Sequence, residues 1–310
     1  MIPALLLVMP LSATVAEARG LHYLAREVPQ WSAENKCYSC HNNGDAARAL
    51  CVAQRLHFTL PAKTLDDTLV WLTKPAGWHK NGGDVEFKDD ALARIQFAAT
   101  LVEALQAGLL KDKAPLLTAA ELIVKDHHRD GCWQGGFPGD VGSPVTYGAP
   151  LATWQAREVL RFADARKYGD AIARADRWLL QAPVERVLDA AVVLHSLHGR
   201  TDRVAVERRQ QCLATLRKGQ SKDGGWGPFV NSSPEVFDTA IVVLALASAP
   251  PDSDTAGMLR RGRAWLVREQ KADGSWPETT RPTGGDSYAQ RLSTTGWAML
   301  ALLSTRAGKP

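Results

Sequence analysis

Along most of the chain, stretches with apolar residues at every third or fourth position alternate with stretches that are apolar on nearly all sides. Leu259, Ala264, Trp265 and Leu266 lie among Arg260, Arg261, Arg263 and Arg268, the pattern of a helix with one wet face. The run Thr239–Ala247 is apolar all round and Val187–Leu194 nearly so, which predicts helices covered on every side. Joining each amphipathic helix to the apolar one after it predicts six helix pairs, over about 21–58, 64–107, 113–166, 171–198, 205–248 and 257–306. Strand-like alternation is almost absent, and Gly and Pro collect between the two helices of a pair, as at 135–150 and 277–285. Six amphipathic helices around six apolar ones close into an all-α (α/α)6 toroid that buries every inner helix.

The pairs carry an internal repeat. Gln220-Ser221-Lys222-Asp223-Gly224-Gly225-Trp226 and Gln270-Lys271-Ala272-Asp273-Gly274-Ser275-Trp276 share the frame Gln-x-x-Asp-Gly-x-Trp, 50 residues apart. Asp126–Trp133 is a degenerate copy, and the pair ending near His198 has lost both Gln and Trp. These frames resemble the QW repeats of squalene-hopene and oxidosqualene cyclases, and the whole pattern resembles the wider prenyltransferase and squalene-cyclase repeat superfamily. The resemblance is clearest over 205–306. It implies a structural role in which Gln220 and Gln270 reach backbone groups at helix termini while Trp226 and Trp276 pack behind them.

The chemistry of that superfamily is harder to find. Class II terpene cyclases use an Asp-x-Asp-Asp acid, and ionising terpene synthases an Asp-Asp-x-x-Asp magnesium motif; neither occurs. Asp66-Asp67 and Asp89-Asp90 read as helix starts, where carboxylates favour the dipole. Where protein prenyltransferases place their zinc ligands, the chain has Asp238-Thr239-Ala240 and Ser293-Thr294-Thr295-Gly296, without the thiolate or imidazole. Asp238 reads as an anion at a helix N-terminus.

A different motif stands near the amino end. Cys37-Tyr38-Ser39-Cys40-His41 has the spacing by which two thiols attach haem c and the adjacent imidazole becomes an axial ligand. A Cys37–Cys40 disulfide, or a metal site completed by His41 and a distant ligand, are the alternatives. By repeat alignment the motif opens the first inner helix, which would put a haem over the mouth lined by the inner-helix starts. The loops 127–150 and 276–288 would bring Trp133, Phe137, Tyr147, Trp276 and Tyr288 to the same mouth as walls of a ligand pocket. For the opposite axial position His79, on a loop, is the first candidate. His127 and His128 come next, while His195 and His198, spaced i,i+3 near a helix end, read as surface or core residues; of the methionines after residue 18, Met258 and Met299, the latter reads as core. With none of them bound, a five-coordinate iron could take a small ligand or activate peroxide.

The apolar start Met1–Leu11 followed by Ala16-Glu17-Ala18 reads as a signal peptide, residues 1–18, cut after Ala18 and leaving one toroid domain over 19–310. The protein is then expected to be exported, periplasmic or secreted, which suits covalent haem attachment. A net charge of +4 is scattered, with no Lys/Arg stripe interleaved with aromatics, so nucleic acid is not an expected partner. No later run reaches membrane length. Of the five cysteines, Cys51, Cys132 and Cys212 fall outside the motif, and an odd count leaves at least one thiol unpaired.

Two functional readings follow, with a third behind them. One is an exported c-type haem protein on a cyclase-like toroid, which passes electrons to a redox partner protein or oxidises a hydrophobic small molecule. The other is a haem-free toroid, with a metal ion or no cofactor, that binds or cyclises an isoprenoid. The third is an interaction module. Whether the chain is an enzyme is left open by the sequence.

Overall fold

The computed structural model describes residues 14–35, 37–80, 89–133, 141–250, 252–281, 284–285 and 287–306. Its helices fall into six pairs. α1 (Val15–Asn35) is followed by a π-helix (Cys40–Ala46) that runs directly into α2 (Ala47–Arg55). Then come α3 (Asp66–Leu72) with α4 (Asp90–Gln106), α5 (Ala114–Lys125) with α6 (Gly148–Asp164), and α7 (Gly169–Gln181) with α8 (Val187–Ser196). α9 (Arg203–Gly219) with α10 (Val236–Ser248), and α11 (Ser253–Glu269) with α12 (Tyr288–Ser304), complete the set. The second members touch in a closed ring: the π-helix and α2 against α4, then α6, α8, α10 and α12, which returns to the π-helix. No strand occurs among the described residues, and the architecture is the (α/α)6 toroid expected.

The division into outer and inner follows from side chains. Of the outer helix α9, only Ala205, Cys212, Leu216 and Gly219 are buried, whereas most of α10 is. Local signals set the helix starts: Asp89, Asp202 and Asp252 accept N–H bonds from the first turns of α4, α9 and α11, and Ser287 does so for α12. Asp66 and Asp67 occupy the first turn of α3, as expected. One outer helix departs from the sequence expectation: α3 is short and is followed by a 3-10 turn, Pro75–Lys80, that carries His79.

The repeat frame holds neighbouring pairs together. Trp226 and Trp276 are fully buried, and their indole N–H groups donate to the carbonyls of Leu216 and Leu266 at 2.7 and 2.6 Å. Their backbone N–H groups donate to Thr239 Oγ1 and Thr295 Oγ1 on the following inner helices. Trp133 repeats both bonds, to the Ile123 carbonyl and Thr153 Oγ1, so the degenerate copy is the same device. The glutamines differ in one respect from expectation. Gln220 bonds the carbonyls of Gly224 and Met258, the latter inside α11 rather than at a helix end. Gln270 bonds those of Gly274 and Ala16, in the first turn of α1. In the third pair His127 fills the glutamine's place, stacked on Trp133 at 3.9 Å and bonded through Nδ1 to Arg174.

The first turn of α1 is thus part of the closed ring. Glu17 is fully buried, with its oxygens 2.8 Å from Arg263 and 2.9 Å from Arg306. Cleavage after Ala18 would cut inside α1, remove that carboxylate and remove the carbonyl that Gln270 uses. Deeper in α1, a Cβ on Gly20 would collide with the Met299 sulfur, which lies wholly in the core as expected.

Candidate ligand-binding site

Among the described residues, the inner-helix starts converge on a buried polar centre. Asp45, in the π-helix, accepts bonds from Tyr147 Oη and Ser293 Oγ, and from Gln96 Nε2 at 3.1 Å. Those partners come from three other inner helices or their caps. Burial pushes the Asp45 carboxyl up to about 6, against the pull of the Ser293 and Tyr147 hydroxyls and of the Arg48 charge. Tyr147 has φ 55° and ψ −37°, with a 2.6 Å bond from Gly148 N–H to the Thr146 carbonyl across it. This is a strained γ-turn for a non-glycine residue, and it is the conformation that turns the phenol onto Asp45. Beside it, Arg281 donates to both oxygens of fully buried Asp238, at 3.1 and 3.0 Å, and to the Gly142 carbonyl. Asp238 does lie in the first turn of α10, but its carboxyl is pushed up to about 7 by burial, against the opposing pull of Arg281.

The aromatics expected to wall a pocket there do other work. Trp133 and Trp276 are packed in the repeats, Tyr147 binds Asp45, and Tyr288 bonds Glu27 and stacks on Trp31 at 5.6 Å. Phe137 lies outside the described residues.

Cys37 and Cys40 are half-buried free thiols, without the disulfide kept open as an alternative. Burial and the nearby Asp45 charge push the Cys40 thiol up to about 12. Burial also holds His41 down to about 4, and its Nδ1 is buried without a hydrogen-bond partner. Haem c needs two unbridged thiols and a neutral imidazole on one segment, and these three residues fit that requirement. His79 is exposed. Among the described residues, Cys37, Cys40, His41 and His79 form no close cluster of metal-ligand atoms. His128, Asp130 and Cys132 do, within 4.8 Å, but the repeat turn explains much of that: Asp130 accepts the Cys132 N–H as Asp273 accepts that of Ser275. His195 and His198 bond Ser248 at the end of α10, at 2.6 and 2.7 Å.

A cavity opens at the opposite end, where the inner helices finish. It has a volume of about 510 Å³, within the range of small-molecule sites. All six inner helices reach it: Arg55, Gln106, Phe162, His195, Ser248 and Ser304 stand on its rim. Its walls include Val52, Trp154, Leu244, Leu300 and Leu303, and its most buried polar members are Arg48 and Gln155. Arg55 pairs with Glu103 at 3.0 Å, and Arg161 lies 3.8 Å from Glu158. No sequence signal marked this end, because its residues are scattered over all six inner helices.

Residues 183–309 match the family described as squalene-hopene cyclase C-terminal domain. A probable squalene–hopene cyclase from Sinorhizobium fredii is 25% identical over 89% of the chain, and the match spans 40% of that relative's length. A type II terpene cyclase from Scytonema, solved with its substrate geranylgeranyl dihydroxybenzoate, superposes with a TM-score of 0.63 at 12% identity, covering 93% of this chain and 97% of that one. The fold is that of the terpene-cyclase-like toroids. It is shared more widely: a possible GH105-family protein from Klebsiella pneumoniae superposes with a TM-score of 0.61 at 10% identity, covering 96% and 94%. The toroid therefore positions the cavity without dictating a reaction.

Proposed function

We propose that the chain binds a hydrophobic isoprenoid-type molecule in the cavity at the C-terminal ends of the inner helices. The observation that carries this reading is the cavity itself, in which Val52, Trp154, Leu244, Leu300 and Leu303 form apolar wall among polar residues, reached by all six inner helices and sized for a small ligand. The squalene-cyclase match over 183–309 and the isoprenoid substrate of the Scytonema cyclase support the ligand class. Binding is favoured over cyclisation. Asp45 and Asp238, the carboxyls that burial pushes up at the other end of the inner helices, do not line the cavity, and Asp45 is spent on Tyr147, Ser293 and Gln96. Glu103, which does line it, faces Arg55. Native mass spectrometry with farnesol and geranylgeraniol tests the reading: a one-to-one complex is expected, with the alcohols recovered unchanged. No complex overturns the proposal, and a cyclised product overturns the preference for binding.

A second reading is favoured by one feature, the pair of unbridged thiols next to the unpartnered His41 Nδ1. Cys37 and Cys40 would hold haem c through thioethers and His41 would be an axial ligand, in an exported protein that uses the iron for electron transfer or oxidation. The two readings concern opposite ends of the inner helices and are compatible. A c-type band that persists through acid-acetone extraction of protein made with a cytochrome c maturation system supports haem attachment; its absence overturns it.

A further inference from the structure

The cavity contains a buried cation, Arg48, that forms no salt bridge among the described residues. Arg48 is 8% exposed; Nη1 donates to Gln155 Oε1 at 2.7 Å, and Nε is buried with no hydrogen-bond partner. The guanidinium lies 5.1 Å from the Trp297 ring centre, an attraction that leaves its in-plane donors unused. No ion pair to Arg48 occurs among the described residues. Asp45, one turn earlier, takes its hydrogen bonds from Tyr147, Ser293 and Gln96 instead. The rim arginine Arg55 is by contrast matched with Glu103. The Arg48 charge is felt by Asp45 but no anion is hydrogen-bonded to it; a buried arginine without such a partner is costly, and its fork of donors suits a carboxylate or phosphate.

We infer that Arg48 receives the anionic head group, carboxylate or phosphate, of an amphiphile whose hydrocarbon part lies against Trp154, Leu244 and Leu300. This rests on the cavity being the isoprenoid site, and it reverses the simplest picture of that site, in which a wholly apolar ligand is enclosed. The head group would enter first and the tail would extend toward the rim.

The test compares farnesyl monophosphate, farnesoate and farnesol, which share a tail, by quenching of intrinsic fluorescence in the full chain. For the unaltered protein at least one of the two anions is expected to bind roughly ten-fold tighter than the alcohol. The tighter of the two identifies the head group. Arg48→Gln should abolish the preference for the anions over farnesol, and Arg48→Lys should keep part of it. Equal affinities in the unaltered protein overturn the inference while leaving isoprenoid binding in place. Failure of all three to bind overturns both. Because the comparison is made first in the unaltered chain, it does not depend on how well the variants fold.

Discussion

Gln270 Nε2 donates to the Ala16 carbonyl at 2.9 Å, so the last repeat grips the first turn of the first helix. Gln220 does the same one pair earlier, on Met258. Each glutamine satisfies two carbonyls, and losing it leaves both to find other partners. Gln270→Ala and Gln220→Ala should each lower stability by about 1–3 kcal/mol in urea unfolding. Hydrogen exchange separates them: the first should expose α1 amides and the second those of α11.

Glu17 makes a further prediction about the same closure. Its carboxylate is fully buried between Arg263 and Arg306. Removing one partner of a buried ion pair leaves the others uncompensated, at a cost of about 3–5 kcal/mol. Glu17→Ala should show that loss in urea unfolding, and a chain beginning at Arg19 should lose at least as much. If the shortened chain is as stable as the full one, α1 does not close the ring in the way described.

The buried acids give stability a definite pH dependence. Asp45 and Asp238 hold their protons up to about 6 and about 7, whereas the unfolded chain releases them near the usual carboxylate value. The folded state therefore binds more protons between about pH 4 and 7, and these groups make stability fall as pH rises through that window. Glu278 acts oppositely. Its Arg291 partner holds it to about 2, so its contribution is complete above the usual glutamate value and is lost as pH falls below it.

Asp45→Asn should flatten the decline between pH 4 and 6 by about 3 kcal/mol. The Gln96 side-chain oxygen, buried without a partner, can turn to accept from the new amide. Urea midpoints of the variant and the unaltered protein across this range test it; an unchanged slope would mean that Asp45 is ionised throughout.

The six-pair toroid was legible because helix period and the Gln-x-x-Asp-Gly-x-Trp frame are local signals repeated many times. The resemblance to the cyclase repeats also implied that the glutamines bond backbone carbonyls, though not which ones. The site was not legible in the same way. Asp45 sits four residues beyond His41, and Ser293 and Tyr147 were both noticed, but nothing in one dimension says that they meet. Their meeting depends on ring closure and on the left-handed turn at Tyr147. The cavity where the inner helices end was not anticipated, because aromatic loops resemble walls and drew attention to the other end; there Trp133, Trp276, Tyr147 and Tyr288 pack and hydrogen-bond within the fold. Arg48 stands in the apolar-flanked run Ala46–Leu50 and gives no hint that no carboxylate is hydrogen-bonded to it.

The central claim is that the ligand lies at the C-terminal ends of the inner helices, and a crystal structure of the complex with farnesol tests it most directly. The account expects the prenyl chain between Trp154, Leu244 and Leu300, with the buried polar centre around Asp45 undisturbed. A prenyl chain bound at the other end, beside Cys37 and His41, or an empty cavity at saturating farnesol, would contradict it.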